Sequence, residues 1–263
     1  MRLKKGTNFG VLDVITILIL FYLLFPLLVI ILYSFNPTSS LKFPFEGFTT
    51  RWYVEVVKDK NFIASLRSSA YVALGVSVIS VILGTLASFA LTRYNFRSKN
   101  FISFLVIVPI TLPAVILGIS LLSFFSAIDF KRSLLTVIFG HCIFCIPFAV
   151  LIMNSRLSGF DVSVEEAAKD LGATTLQTFR YITFPLIRPS IIGVMMLTFA
   201  LSFDEFLVTF FIIGKRNTLP IEIWGMLRRG VSPTINAIAT MILVFSITLI
   251  IIANKYAKFR TLR

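Results

Sequence analysis

The sequence predicts an all-α integral membrane protein with six transmembrane helices and a cytoplasmic helix-turn-helix loop. Of its 263 residues, 57% are hydrophobic and only 14% are charged, a balance outside the range of water-soluble proteins. The mean hydropathy is +0.93, and the apolar residues are spread along the whole chain, so one anchor helix on a soluble domain does not explain them. We therefore expect 1–263 to form a single transmembrane domain.

Five long windows without a charged side chain, and a sixth apolar run interrupted only by Asp204 and Glu205, locate the spans. A charge in hydrocarbon is costly, and a bilayer core needs about 20 apolar residues per helix. The runs lack the short alternation of apolar and polar residues that is typical of a membrane β-barrel. We place the six helices near 12–33, 68–92, 101–127, 134–155, 187–213 and 235–255.

The net charge of +13 bears on partners and orientation. The basic residues stand singly or in adjacent pairs between apolar runs and form no patch, so we expect membrane lipids as their counter-charge and no nucleic acid. Fourteen Lys and Arg residues lie on one side of the predicted spans and eleven on the other, and basic residues are enriched in cytoplasmic loops. Both termini are therefore predicted to be cytoplasmic. The side with fourteen comprises 1–10, 93–100, 156–190 and 255–263.

The longest connection on that side, about 156–186, predicts two short helices outside the bilayer. Ser163 and Glu166 have the spacing of a capping box at a helix start. Gly172 is the residue type that ends a helix by adopting a positive φ. A second short helix follows, and Pro185 is predicted to break the chain ahead of the fifth span.

The first of these short helices has a narrow apolar stripe. Small alanine side chains on such a stripe would let the backbone approach a groove closely, as short helices do when they dock on a partner. The stripe could equally pack on the spans of this chain, and the sequence leaves both interpretations open. Its residues fall at i, i+3, i+4 and i+7, namely Val164, Ala167, Ala168 and Leu171.

The loop carries a family resemblance. Glu166, Ala167 and Ala168, followed at fixed spacing by Gly172, Ile182 and Pro185, resemble the EAA loop of ABC importer permeases, and Phe184 stands where that family usually has leucine. The chain resembles this family over nearly its whole length. The runs similar to the second permease subunit of spermidine/putrescine importers are 47–53, 155–162, 201–211 and 230–240.

The resemblance implies an ATP-driven importer in a bacterial inner membrane, in which this chain forms half of the pathway for a polyamine or for another small cationic or organic solute. It implies three partners: a cytoplasmic ABC ATPase dimer, a second and related permease, and an extracytoplasmic substrate-binding protein. ATP and Mg²⁺ would bind the ATPase. The residues implied to couple the chain to it are Ser163, Glu166, Ala167, Ala168, Leu171, Gly172, Ile182 and Pro185.

The residues themselves give no sign of an enzyme. The 13 glycines form neither a P-loop nor a dinucleotide-binding motif, and no catalytic constellation surrounds the single histidine, so we expect no cofactor or metal in this chain. His141, Cys142 and Cys145 could form a soft-metal cluster. A polar histidine facing the bundle interior, with cysteines acting as small apolar side chains, is the simpler interpretation.

Asp204 and Glu205 are the candidate substrate-pathway residues, because an ionisable residue at membrane depth is functional by default. On a continuous fifth helix they would lie in the external half of the bilayer, pointing about 100° apart. One carboxylate would then face the pathway, and Phe203 and Phe206 would add cation–π contact with an ammonium group. The alternative is a structural pair with an Arg or His of another helix.

The sequence leaves the roles of the tryptophans and prolines, and the class of transport protein, open to more than one interpretation. Trp52 and Trp224 suit either an aromatic belt at the membrane interface or a rim for a protein partner. Pro109, Pro113 and Pro147 predict kinks, either around a cavity or from packing alone. A secondary transporter would need coupling charges in both halves, and beyond Asp13 at one end the first three spans have none, whereas only the docking loop argues against a channel.

Overall fold

The computed structural model describes residues 10–38, 45, 47–230 and 232–258, and the side chains of these residues up to 248. They are largely helical, and none of the described residues lies in a β-strand. The helices are α1 (Val11–Tyr33), α2 (Arg51–Lys58), α3 (Lys60–Arg93), α4 (Lys99–Thr111), α5 (Ala114–Ala127), α6 (Leu134–Ser158), α7 (Ser163–Asp170), α8 (Thr175–Thr178), a π-helical turn (Phe179–Thr183), α9 (Phe184–Phe203), α10 (Leu207–Ile212), α11 (Leu219–Arg229) and α12 (Pro233–Lys258).

Four helical stretches among the described residues are long and apolar enough to cross a membrane: α1, α3, α6 and the continuous helix Thr175–Phe203. The pair α4 and α5 makes a fifth if it is one span, and α12 contains a further apolar segment, Pro233–Thr248. The predicted spans 12–33, 68–92 and 134–155 each fall within one helix. The prediction of six spans stays a prediction.

The predicted third span, 101–127, is a helix pair bent by 103°. Leu112, between the two helices, has the extended φ and ψ of −77° and 133°. Proline disfavours a helical conformation in the residue before it and cannot donate a backbone hydrogen bond, so Pro113 explains why α4 stops there. Pro109 lies inside α4 and Pro147 inside α6, and both helices continue past them.

The chain divides into two compact units, one of Met1–Lys60 with Gly225–Arg263 and one of Asn61–Trp224. In the first unit α12 packs against α1 and α2. Trp52 of α2 is buried there, and its indole N–H donates to the carbonyl oxygen of Asn36 at 2.7 Å. Trp52 is therefore an internal anchor of its own unit, which neither of its two predicted surface roles describes.

In the second unit, the short helix α10 packs closely against α5 and α6. A Cβ added at Gly118 of α5 would lie 2.6 Å from the ring of Phe211, and one at Gly140 of α6 would collide with the side chain of Ile212. The hydroxyl of Thr136 also donates to the carbonyl oxygen of Ile212 at 2.7 Å. Glycine at these two positions thus allows α10 to approach its neighbours more closely than side chains would permit.

Candidate functional site

The first candidate region is the EAA loop, about 156–186, which contains α7, a turn at Gly172, α8 and the π-helical turn. Gly172 has φ of +88°. Its N–H bonds to the carbonyl oxygen of Lys169 at 2.9 Å, and the N–H of Ala173 bonds to that of Ala168 at 3.0 Å. These two bonds form a Schellman motif, which explains why α7 ends here and why a glycine stands at this position.

The start of α7 differs from the predicted capping box. Val162 occupies the N-cap position and Ser163 is the first helical residue, so Ser163 and Glu166 do not cap reciprocally. The backbone N–H of Ser163 instead donates to Oδ1 of Asp161 at 3.0 Å. Hydrogen bonds from the Ser163 side chain and backbone hold the pKa of Asp161 below its usual value.

The predicted break at Pro185 is wrong, because the helix runs without interruption from Thr175 to Phe203. The N–H of Phe184 bonds to the carbonyl oxygen of Phe179, five residues back, which is the π-helical pattern. A proline ring normally clashes with the preceding helical turn and lacks an N–H. Here the wider π turn lies immediately before Pro185 and accommodates it.

The apolar stripe of α7 faces away from the rest of the chain. Val164 and Ala167 are exposed, Leu171 is 90% exposed, and Ala168 is half-buried. Leu176 of α8 and Tyr181 of the π turn extend the exposed apolar surface. Of the two interpretations that the sequence left open, the structure therefore favours a face that is free for a partner, since three of the four stripe residues are exposed in the described part of the chain.

Glu165, which the sequence did not single out, is the one buried residue of α7. Its Oε1 accepts a hydrogen bond from the hydroxyl of Thr183 at 2.6 Å and lies 3.2 Å from Nη2 of Arg93. The guanidinium of Arg93 is also 5.4 Å from the ring centre of Phe160. No sequence spacing marks Glu165, because its partner Arg93 is 72 residues away.

The second candidate region is the acidic break, residues 204–206, between α9 and α10. The predicted continuous helix over 187–213 is wrong here: α9 ends at Phe203, and α10 begins at Leu207. Oε1 of Glu205 accepts the backbone N–H of Val208 at 2.9 Å, which satisfies a free donor at the start of α10. The carboxylate of Asp204 is exposed and has no hydrogen bond or ion pair among the described residues.

His141 of α6 bridges this break. Its Nδ1 lies 2.8 Å from Oγ of Ser202 on α9, and its Nε2 lies 2.8 Å from Oγ1 of Thr209 on α10. The hydroxyl of Thr209 donates to the carbonyl oxygen of Glu205 at 3.0 Å, so we assign Nε2 as the donor to Thr209 and Nδ1 as the acceptor from Ser202. The ring is buried, as expected of a polar histidine facing the interior.

The neighbouring cysteines do not share in this bridge. Cys142 and Cys145 are buried within the apolar cluster of the second unit, beside Val137 and Val208. In the part of the chain that the structure describes, no group of three His, Cys, Asp or Glu side chains could hold a metal ion.

Aromatic rings surround the acidic break. The ring centre of Phe206 lies 5.4 Å from that of Trp224 and 5.6 Å from that of Phe210, and the rings of Phe199 and Phe203 stack at 5.7 Å. Trp224 is 44% exposed. No sequence pattern places Trp224 beside Phe206, because the two rings belong to different elements, α11 and the acidic break.

Comparison with known proteins bears on both regions. The family profile described as "Binding-protein-dependent transport system inner membrane component" matches residues 78–260, a segment that contains the EAA loop and the acidic break. The chain belongs to this family of permeases. Its membership agrees with the apolar helices and with the resemblance seen in the EAA loop.

Two relatives of the permease have assigned functions. The spermidine/putrescine transport system permease protein PotC of Escherichia coli (strain K12) is 36% identical over 241 residues, which cover 91% of each chain. The putrescine transport system permease protein PotI of the same strain is 39% identical over 230 residues, covering 84% of this permease and 82% of PotI.

Solved structures share the fold. A chain of a bacterial ABC transporter that imports the acidic polysaccharide alginate superposes with a TM-score of 0.75 at 16% identity, covering 97% of this permease and 99% of that chain. A chain of the MetNI methionine ABC transporter superposes with a TM-score of 0.57 at 16% identity, covering 76% and 97%. At such low identity these structures inform the fold alone.

Proposed function

We propose that this permease forms half of the translocation pathway of an ATP-driven polyamine importer in a bacterial inner membrane. The observation that carries the proposal is the carboxylate of Asp204, exposed at the break and without a partner among the described residues. Phe203 and Phe206 flank it in sequence, and Trp224 lies against Phe206. A carboxylate with aromatic neighbours suits an organic ammonium group.

The relatives support a polyamine as the cargo, because PotC and PotI are named for spermidine and putrescine. At an effective dielectric constant near 20, a carboxylate and an ammonium about 4 Å apart attract by about 4 kcal/mol before desolvation is subtracted. Asp204 can bind only one ammonium at such a distance. The remaining ammonium groups of a polyamine need acidic groups elsewhere in the pathway, which we expect from the second permease.

We further propose six spans with both termini in the cytoplasm, so that the EAA loop is a cytoplasmic helix-turn-helix. The bent pair of α4 and α5 and the helix α12 would supply the third and sixth spans. This topology is supported by the excess of Lys and Arg on one side of the spans. A reporter fused after Arg263 should therefore be active only in the cytoplasm.

The exposed face of the EAA loop supports docking on a cytoplasmic ATPase dimer. ATP and Mg²⁺ would bind that dimer, and this chain would hold neither a cofactor nor a metal and would perform no hydrolysis. One EAA loop offers one docking surface, so two ATPase subunits require a second permease, either a related chain or a second copy. Native mass spectrometry should show two permease chains per complex, and a complex with one would contradict this assembly.

A substrate-binding protein on the opposite side completes the proposed complex. The family description names dependence on such a protein, and the alginate transporter of the same fold has been seen with its periplasmic protein bound. The external segments of this permease would contact it.

The test is transport by the reconstituted complex. Proteoliposomes containing both permeases, the ATPase and the binding protein should take up radiolabelled putrescine or spermidine and hydrolyse ATP faster when the amine is present. Asp204→Asn, which keeps shape and removes charge, should depress uptake per assembled complex. Asp129→Asn is the matched control, because Asp129 is an exposed carboxylate with φ of 51°, a conformation that asparagine tolerates.

Two results would refute the proposal. Wild-type complex whose ATPase activity and uptake do not respond to either amine would remove the polyamine assignment. Uptake by Asp204→Asn equal to that of Asp129→Asn would remove the role of Asp204.

A further inference from the structure

The contact between α7 and the rest of the permease is unusual in its chemistry. A short helix outside a core normally buries apolar side chains, yet α7 exposes Val164 and Ala167 and buries Glu165, and the apolar residue at its end, Leu171, is exposed as well. The buried carboxylate is satisfied by Arg93 and Thr183. The helix that presents the apolar stripe is therefore attached to the permease by a charged, directional contact.

The two partners of Glu165 belong to two different membrane-length helices. Arg93 is the last residue of α3, and Thr183 is the last residue of the π turn, immediately before α9. One carboxylate oxygen, Oε1, contacts both, at 3.2 Å and 2.6 Å. A displacement of α7 is therefore resisted at the ends of α3 and α9 together, since hydrogen bonds weaken steeply with distance and misalignment.

We infer that the cluster of Arg93, Glu165 and Thr183 is the joint that transmits movement of the EAA loop to α3 and α9. This inference rests on the proposed function, in which the loop receives the movement from the ATPase. From Thr183 the helix is continuous to Phe203, so a shift at the joint reaches Asp204 about 30 Å away, at about 1.5 Å per residue. Glu165 is thus a positioning residue, distinct from the exposed Glu166 beside it.

Arg93 gives the joint a second available geometry. Its Nη2 contacts Glu165, while its Nε is buried without a hydrogen-bond partner among the described residues. A guanidinium can hold a carboxylate through two parallel N–H bonds, which is the stronger arrangement. A small shift of α7 would exchange the single contact for the double one, so the pair has two arrangements that docking can select between.

The test measures coupling in the reconstituted importer. Glu165→Gln keeps the volume and an acceptor for Thr183 but removes the charge that holds Arg93. We expect the ATPase to co-purify normally, because the docking face is untouched, and basal ATP hydrolysis to persist. The number of amine molecules imported per ATP should fall about tenfold, the factor that corresponds to about 1.4 kcal/mol. Asp170→Asn, an exposed carboxylate on the same helix, is the matched control and should keep the wild-type ratio.

Two further variants test the same joint if the complex with Glu165→Gln does not assemble. Arg93→Gln should lower the ratio similarly, and Thr183→Val, which removes one hydrogen bond, should lower it less. Combining Glu165→Gln with Arg93→Gln should cost no more than either alone, because residues in one network are not additive.

A purely structural cluster predicts another result: fewer assembled complexes, with a wild-type ratio in those that form. That outcome in the assembled variants would overturn the inference. Wild-type complex without amine-stimulated ATP hydrolysis would instead refute the proposed function, so the two failures are distinguishable.

Discussion

Two pairs of adjacent carboxylates, Glu165 with Glu166 in the EAA loop and Asp204 with Glu205 in the acidic break, are arranged alike. In each pair one carboxylate is held within the permease and the other is exposed. Glu165 is held by side chains from distant parts of the chain, whereas Glu205 is held by a backbone N–H three residues ahead. Glu165 and Glu205, which are hydrogen-bonded within the chain, position a helix. Glu166 and Asp204, which are exposed, are available to contact a partner or a cargo outside the chain.

The two regions differ in the sequence separation of the contacts that hold them in place. The EAA loop is tied to the ends of two long helices through one carboxylate, so its position depends on long-range contacts. The acidic break is fixed locally by the cap of Glu205 and laterally by His141, which contacts both Ser202 and Thr209. A movement of the loop should therefore shift α9 as a unit, while the break keeps its local geometry.

The largest effect is expected at the turn of the EAA loop. Gly172 has φ of +88°, and a Cβ there would meet nothing within 4 Å, so a substitution acts through the backbone alone. Left-handed conformation costs an ordinary residue about 1–2 kcal/mol, and Gly172→Leu should relieve it by re-aiming α7 against α8. We expect uptake per assembled complex to fall at least about tenfold, which is the effect of about 1.4 kcal/mol.

Gly172→Asn is the control for that prediction, because asparagine tolerates positive φ better than leucine. It should retain most of the uptake. If leucine and asparagine behave alike, or if Gly172→Leu transports normally, the backbone conformation of this turn does not set the docking surface.

Substitutions of the two carboxylates in the acidic break should have different effects. Asp204→Asn should lower polyamine uptake about fivefold, the effect of losing about 1 kcal/mol, which is a quarter of the attraction before desolvation. Glu205→Gln should affect uptake less and lower stability, by about 1 kcal/mol for a weakened helix cap. Uptake kinetics and thermal unfolding of the purified complex measure the two effects, and equal losses of uptake in both variants would contradict the division of roles.

The helices over the predicted spans 12–33, 68–92 and 134–155 were predictable, because the cost of a charge in hydrocarbon is local and leaves a direct record in the sequence. The break at Pro113 and the turn at Gly172 were predictable for a related reason, since proline and glycine act on their own backbone. The continuation of the helix through Pro185 was not, because a π turn has no residue signature that opposes the proline rule.

The candidate site was predictable only in part. The resemblance located Glu166 and Gly172, and the energetic rule for membranes located Asp204 and Glu205. Neither the resemblance nor this rule could show which of Asp204 and Glu205 makes a hydrogen bond within the chain, because Glu205 caps α10 only if the helix breaks. The close approach of α10 to Gly118 and Gly140 is equally hidden from the sequence, because such packing is set by residues far away along the chain.

A smaller effect is expected at His141, whose ring bridges the break between Ser202 and Thr209. His141→Ala should remove both bridging hydrogen bonds and loosen α10 relative to α9, so the KM for amine should rise about threefold, equivalent to about 0.6 kcal/mol, while kcat changes less. Gln can both donate and accept, so His141→Gln should recover part of the loss. A change in expression alone, with unaltered KM, would assign His141 to folding rather than to positioning.

The smallest effect is expected at Trp224, which contacts the acidic break through Phe206. Its ring lies beside Phe206 and is partly exposed, and cation–π contacts at exposed sites are worth about 0.5–1 kcal/mol. Trp224→Ala should therefore reduce apparent affinity for the amine about twofold to fivefold, and Trp224→Phe should reduce it less, because a ring remains. Substrate-stimulated ATP hydrolysis over a range of amine concentrations measures both. An aromatic residue that only anchors the permease at the membrane interface would leave this affinity unchanged in both variants, and that result would remove Trp224 from the proposed pathway while leaving the role of Asp204 intact.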